Sequence, residues 1–282
     1  MSQDLSRRRF LVSASAGVAS LGLLGMPSAM AASARSEYAA AQEPASTLRE
    51  VASTDAGSKI VANYAMYVQD RGRVDASRAE HQAYADALRE HDRLMLGGPL
   101  LDDDGRPCGV LLVYDVASQQ QAEALAQGDP FVLKGAIADY RLAEWTVLDS
   151  NVELLAASLV PADRRVPTRT PGAAGAMPIR PDVHAVRTYV NYAQYVSDLA
   201  HVERVRPAHQ AYARALEAKG ALIMAGPFAD GSGALSIYRA QSKDEAMSLV
   251  LEDPYRAGGV FETYALSELR LFGLNARLIP GR

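Results

Sequence analysis

Arg78-Ala79-Glu80-His81-Gln82-Ala83-Tyr84-Ala85 returns 128 residues later as Arg206-Pro207-Ala208-His209-Gln210-Ala211-Tyr212-Ala213. The same offset carries Asn63-Tyr64-Ala65 onto Asn191-Tyr192-Ala193, Tyr67-Val68 onto Tyr195-Val196, Asp70 onto Asp198 and Gly98-Pro99 onto Gly226-Pro227. About half of the positions from Asn63 to Pro99 match, far above the level of unrelated segments. The offset then falls to 124, so that Asp129-Pro130-Phe131 meets Asp253-Pro254-Tyr255, Gly135 meets Gly259 and Tyr140 meets Tyr264. The gap lies between Asp102-Asp103-Asp104-Gly105 and Asp230-Gly231-Ser232-Gly233, polar turn sequences in which a change of length costs little. One unit is written twice.

Within the first copy, Ile60–Val68 alternates and predicts a strand. Asp75–Arg93 lacks Gly and Pro, is rich in Ala, Glu and Arg, and predicts a helix. A short strand over Leu94–Leu96 should stop at Gly97-Gly98-Pro99. Gly109–Val116 is a β-branched strand, Ser118–Gln127 a helix capped by Ser118, and Ala138–Leu148 a last strand. Arg187–Val196, Glu203–Lys219, Leu222–Ala225, Gly233–Arg239, Lys243–Glu252 and Glu262–Leu271 repeat the series. The order β-α-β-β-α-β is the ferredoxin-like split βαβ, an α+β fold with helices on one sheet face. The bare face needs cover, and a second copy can supply it, sheet against sheet.

The rest of the chain divides around the two copies. Residues 1–31 hold Arg7-Arg8-Arg9-Phe10-Leu11, a short apolar run and Ala29-Met30-Ala31, the layout of a twin-arginine secretory signal. Residues 32–57 read as a flexible leader, 58–149 as the first domain, 150–182 as a linker rich in proline, and 183–276 as the second domain. Asn151–Val160, more apolar than the rest of the linker, is expected to extend the first copy's last strand or to pack over it. The expected location is the periplasm or another exported compartment. Loss of Arg7, Arg8, Arg9 and Asp4 with the signal takes the net charge from −4 to −6. An acidic chain with no Lys/Arg run beyond its N-terminus is a poor nucleic-acid binder. A single cysteine, Cys108, excludes an intrachain disulfide and a thiolate cluster. Hydrophobic residues at 49% and charged residues at 22% are ordinary for a globular chain.

On a helix, Arg78, His81, Tyr84, Ala85 and Leu88 form one stripe, repeated by Arg206, His209, Tyr212, Ala213 and Leu216. A histidine on a stripe that also carries core positions needs a hydrogen-bond partner. The aspartate of each Asp-Pro turn, Asp129 or Asp253, is the candidate. A carboxylate on one imidazole nitrogen fixes the tautomer and leaves the other nitrogen to accept or deliver a proton. The bland alternative is a satisfied core histidine beside an aspartate that only caps a turn. Gly98-Pro99 and Gly226-Pro227 would let a backbone or a ligand approach closely.

Arg-x-x-His, a Gly-Pro about eighteen residues on, then Asp-Pro-Tyr/Phe and a closing strand, resembles the YciI-like (YCII-related) domain family. The resemblance covers about 58–148 and 184–275. It implies two ferredoxin-like domains pairing within the chain as a dimeric α+β barrel. It also implies a His–Asp site, placed here on His81 with Asp129 and on His209 with Asp253. Arg78 and Arg206 match the family's arginine, and Tyr255 its tyrosine, where the first copy has Phe131; the second copy is therefore favoured if only one site works. Tyr212 on the stripe and Tyr255 join Arg206, Arg78, Gly226 and Gly98 as candidate substrate-binding residues. The expectation is an exported small-molecule enzyme of isomerase or lyase type, with a non-catalytic ligand-binding or structural module as the alternative.

No cofactor is expected. Dimeric α+β barrels include haem binders, but no haem-ligand motif is visible. A metal site from His201, Glu203 and His209 has no recognised ligand spacing. His91, His184 and His201 lack counterparts in the other copy. Tyr64, Tyr67, Tyr192 and Tyr195 suit strand packing, and Cys108 has no matching histidine to activate it. Expected partners are an unidentified small-molecule ligand, the twin-arginine export machinery and further copies in a homo-oligomer.

Overall fold

A computed structural model describes residues 58–160 and 187–280. The chain divides into Met1–Ala52 and Ser53–Arg282, and all described residues belong to the second unit. The signal, the leader, residues 161–182 of the linker and His184 lie outside the described residues.

The first repeat runs β1 (Lys59–Tyr67), α1 (Arg71–Glu90), β2 (Leu94–Leu101), β3 (Pro107–Val116), α2 (Gln119–Gly128), α3 (Pro130–Leu133) and β4 (Ile137–Glu144). A tail follows with β5 (Asp149–Ser150) and α4 (Val152–Ala157). The second repeat has β6 (Thr188–Tyr195), α5 (Leu199–Ala218), β7 (Leu222–Pro227), β8 (Gly233–Arg239), α6 (Lys243–Leu251), α7 (Pro254–Ala257) and β9 (Phe261–Leu269). Its tail holds β10 (Gly273–Leu274) and a 3₁₀ turn, Ala276–Leu278.

Each repeat is an antiparallel ferredoxin-like sheet, β4-β1-β3-β2 and β9-β6-β8-β7. Strand period decides what each face meets. Ala62 and Tyr64 of β1, with Val190 and Tyr192 of β6, point into one core shared by both sheets. There the Tyr64 and Tyr192 rings lie 5.0 Å apart. Alternate residues face the helices, where Tyr189, Leu222 and Tyr238 pack against Leu216 of α5 and Val250 of α6. The result is a dimeric α+β barrel made by one chain.

Two equivalent seams close it. At one, Arg270 N–H donates to Pro99 O at 3.0 Å, Phe272 to Gly97 at 2.9 Å and Asn275 to Met95 at 2.7 Å. At the other, Thr146 donates to Pro227 at 2.9 Å, Leu148 to Ala225 at 3.0 Å and Asn151 to Ile223 at 2.7 Å. Each bond of the first set is the repeat equivalent of one in the second. The tails match too: Asn151 caps α4 and Asn275 caps the 3₁₀ turn, and Leu155 and Ile279 both enter the shared core. Residues 150–160 therefore belong to the folded body and pack over it through Leu155.

Several boundaries differ from the sequence expectation; the first copy's last strand, for one, ends at Glu144 rather than Leu148, because Thr146 and Leu148 bond the opposite repeat. The long helices begin a turn early, because Asp70 accepts from Arg73 N–H at 3.3 Å and Asp198 from His201 N–H at 3.0 Å. β2 does not stop at Gly97-Gly98-Pro99 but runs through to Leu101, since Pro99 needs no donor on that side and its carbonyl serves the seam. Among the described residues, no helix is long and apolar enough to cross a membrane.

Candidate active site

Helix α1 carries His81 over the end of α2, where Asp129 begins α3. The ring Nδ1 lies 2.8 Å from each carboxylate oxygen of Asp129. In the second repeat α5 carries His209, whose Nδ1 is 2.8 and 3.0 Å from the oxygens of Asp253. Each carboxylate also accepts the backbone N–H two residues on, from Phe131 and Tyr255, at 2.8 Å. The local turn thus holds the acid rigidly before the histidine reaches it. The aspartates are turn caps, and they are imidazole partners as well. Behind each imidazole an aromatic ring is stacked at 4.0 Å, Phe131 on His81 and Tyr255 on His209.

With Nδ1 facing a carboxylate, the neutral ring keeps its proton there and presents a bare Nε2. Among the described residues, nothing hydrogen-bonds Nε2 of either ring. In ¹⁵N spectra of the neutral rings, His81 and His209 should both appear as Nδ1–H tautomers. Asp253→Ala should move His209 alone toward the Nε2–H form.

The two sites are not equally open. His209 is 25% exposed and His81 10%. A cavity of about 290 Å³ lies between α5 and the sheet, lined by His209, Asp253, Arg206 and Tyr255 together with Leu148 and Asp149 from the first repeat's tail. Its sheet floor includes Ala234 and Ser236. The first repeat has Val110 and Leu112 at these positions, both buried. Leu112 fits there because Gly97 yields space: a Cβ on Gly97 would stand 2.8 Å from Leu112 Cδ2. The second repeat has Ala225 and Ser236 in place of Gly97 and Leu112.

Charges complete the picture. The Arg206 Nη2 donates to Glu203 at 2.5 Å, while its Nε is buried without a partner. Burial pushes the Tyr255 hydroxyl up, and the Arg206 guanidinium pulls it the other way. Glu217 is pushed up to about 7, by burial first and then by the hydrogen bond and charge of Asp149, against Arg214.

Several expected contacts serve the fold instead. A Cβ on Gly98 would sit 1.8 Å from the Arg270 carbonyl oxygen, and one on Gly226 1.8 Å from that of Thr146. Gly98 therefore admits the opposite repeat's backbone, not a ligand. Gly226 does the same while also lining the cavity. Tyr212 lines the cavity too, but its hydroxyl donates to Leu249 O at 2.9 Å, as Tyr84 does to Leu125 O at 2.8 Å. Arg78 is paired with Asp75 at 2.8 Å. His201 bonds Gly258 O at 2.7 Å and His91 caps α1 on Ala87 O at 2.8 Å. No group of three or more metal-ligating side chains occurs among the described residues. Burial pushes the Cys108 thiol up to about 11, which disfavours the thiolate a nucleophile needs.

Leu148, Asp149 and Glu217 were not foreseen from sequence. Asp149 and Glu217 have no like counterpart in the other copy, whereas a repeat-based reading favours positions that match. The mismatch of Glu217 with Arg89 was the available signal.

Residues 62–146 and 188–270 match the family model described as YCII-related domain. No curated protein matched. Among solved structures, a 5-chloro-2-hydroxyhydroquinone dehydrochlorinase from Burkholderia phenoliruptrix AC1100, in complex with 2,5-dihydroxybenzoquinone, is 23% identical; the match covers 33% of this chain and 97% of that one, with a TM-score of 0.28. An anthrone oxidase-like protein is 12% identical over 78% of this chain and 92% of its own, TM-score 0.43. A mutant chlorite dismutase from Candidatus Nitrospira defluvii is 10% identical over 77% and 92%, TM-score 0.45.

Proposed function

This chain belongs to the YCII-related domain family, and from that premise we propose that it is a small-molecule enzyme whose working site is the His209 cavity. His209 is its general acid and base through Nε2, and Asp253 orients the ring. Arg206, with its unpartnered Nε, holds an anionic or carbonyl-bearing substrate. Such a set suits isomerisation or elimination, in which one group takes a proton from carbon and returns one elsewhere. The single observation that carries this reading is the His209–Asp253 pair, with its Nε2 unbonded, lining a cavity. The first repeat is chiefly scaffold and lends Leu148 and Asp149 to the other's wall. The chain is exported by the twin-arginine machinery and works in the periplasm, a reading supported by Arg7-Arg8-Arg9-Phe10-Leu11 and Ala29-Met30-Ala31.

Native mass spectrometry of the isolated protein tests the cavity. One small molecule per chain should be bound, and it should be lost from an Ala225→Gly/Ala234→Val/Ser236→Leu variant, which copies the first repeat's Gly97, Val110 and Leu112 and so avoids the clash a Cβ at 225 would make with the new leucine; it should melt no lower than the parent. A compound retained at full occupancy in that variant would place the binding site elsewhere.

A further inference from the structure

We propose that the His209 cavity selects a small ligand carrying an ammonium group, held by Asp149 and Glu217, with an anionic or carbonyl end held by Arg206. The inference rests on the reading of this cavity as the ligand site and names the class of molecule it takes.

Arg206, His209 and Glu217 lie on one face of α5, with His209 between the other two. Arg206 and Glu217 are about 16 Å apart along the helix axis, before their side chains converge on the cavity. All three line it, and so does Asp149, brought across the seam by the first repeat's tail. At each pole one polar atom lacks a protein partner. The Arg206 Nε is a buried donor with no acceptor, and the Glu217 Oε1 is a buried acceptor beside the Asp149 carboxyl, which offers it no proton while both are ionised. A ligand with an acceptor at one end and a donor at the other satisfies both.

The first repeat serves as an internal control. The positions equivalent to Asp149 and Glu217 are Gly273 and Arg89. There the Arg89 guanidinium lies over the glycine, 3.0 Å from where a Cβ would stand, and is paired with Asp86 at 2.8 Å. The same fold closes with a satisfied cation at that corner. Two neighbouring carboxyls are therefore no requirement of the barrel, and they occur on the side that has the described cavity. The groups facing Glu217 are Asp149 from β5 and Arg214 from its own helix, while Leu222 and Ala225 of β7 bring no charge. Burial first, then the hydrogen bond and charge of Asp149, outweigh Arg214, so Glu217 stays pushed up to about 7. An ammonium group favours both carboxylates ionised, so its binding should release a proton near neutrality. Its advantage should fade as the pH falls through about 7 and Glu217 takes up a proton.

The experiment uses the full mature chain and calorimetry at pH 8 with ω-amino carboxylates of four to six carbons, each paired with the carboxylate lacking the amine. The amino compounds should bind at least roughly tenfold tighter. Asp149→Asn/Glu217→Gln should erase that preference without weakening the plain carboxylates, which lose two repelling anions. This variant removes like-charge repulsion and should fold; Asp149→Gly, copying the first repeat, is the second variant and should weaken the preference alone. Equal affinity for both series in the parent protein would overturn the inference while leaving the cavity reading intact. Absence of binding by both series, together with no copurifying small molecule, would sink the cavity reading and the inference with it.

Discussion

His209→Gln should lower turnover by about 10²–10⁴-fold, the usual contribution of a positioned general acid or base. That is about 3–5 kcal/mol of transition-state stabilisation. The assay takes as substrate the compound recovered from the native protein. Glutamine keeps a polar group of similar size beside Asp253, so the loss should fall on kcat more than on KM. His81→Gln should cost at least tenfold less, because the equivalent floor in the first repeat is filled by Val110 and Leu112. Equal losses in the two variants would mean two working sites. No loss in His209→Gln would remove the imidazole from the chemistry.

Gly226→Ala should destabilise the fold by about 3 kcal/mol or more, the upper range for forced overpacking. The added Cβ would stand 1.8 Å from the Thr146 carbonyl oxygen, and backbone cannot swing aside as a side chain can. Relief requires parting the strands where Thr146 N–H meets Pro227 O at 2.9 Å. Gly98→Ala meets the Arg270 carbonyl oxygen at the same 1.8 Å and should cost about as much. Gly105→Ala, in a turn with φ of 73° and open space around the Cβ, should cost about 1 kcal/mol from backbone strain alone. Urea denaturation of the three variants checks the order. Gly226→Ala melting no lower than Gly105→Ala would show that the seam yields.

The repeat and both His–Asp pairs are legible in the sequence, because each rests on local rules. An imidazole on a core-facing stripe needs a partner, and an Asp-Pro turn places a carboxylate at a fixed point. What was not legible depends on the other repeat. Gly98-Pro99 reads as a strand end open to a close approach, but nothing local says whether a backbone or a ligand comes there, or from which part of the chain. Residues 150–160 stand at the head of the linker, and their apolar character alone hints that they pack on the fold; the match of Asn151 and Leu155 with Asn275 and Ile279 is a faint pattern without the seam that gives it purpose. The early helix starts are not legible, because Gly72 stands in the first turn of α1 and no acidic residue marks the first turn of either long helix. Asp149 and Glu217 lie far apart in sequence and meet only once the barrel closes.

The two seams repeat one geometry with different residues. In a barrel assembled from two identical chains, every substitution at the interface would strike both contact lines at once. Here a mutation alters one and leaves its twin untouched, so roughly half the damage is felt at each step. Covalent fusion also keeps the halves together when one contact line weakens. A chain built this way can let one hollow fill in while the other is reshaped, an option closed to an assembly that must change in duplicate.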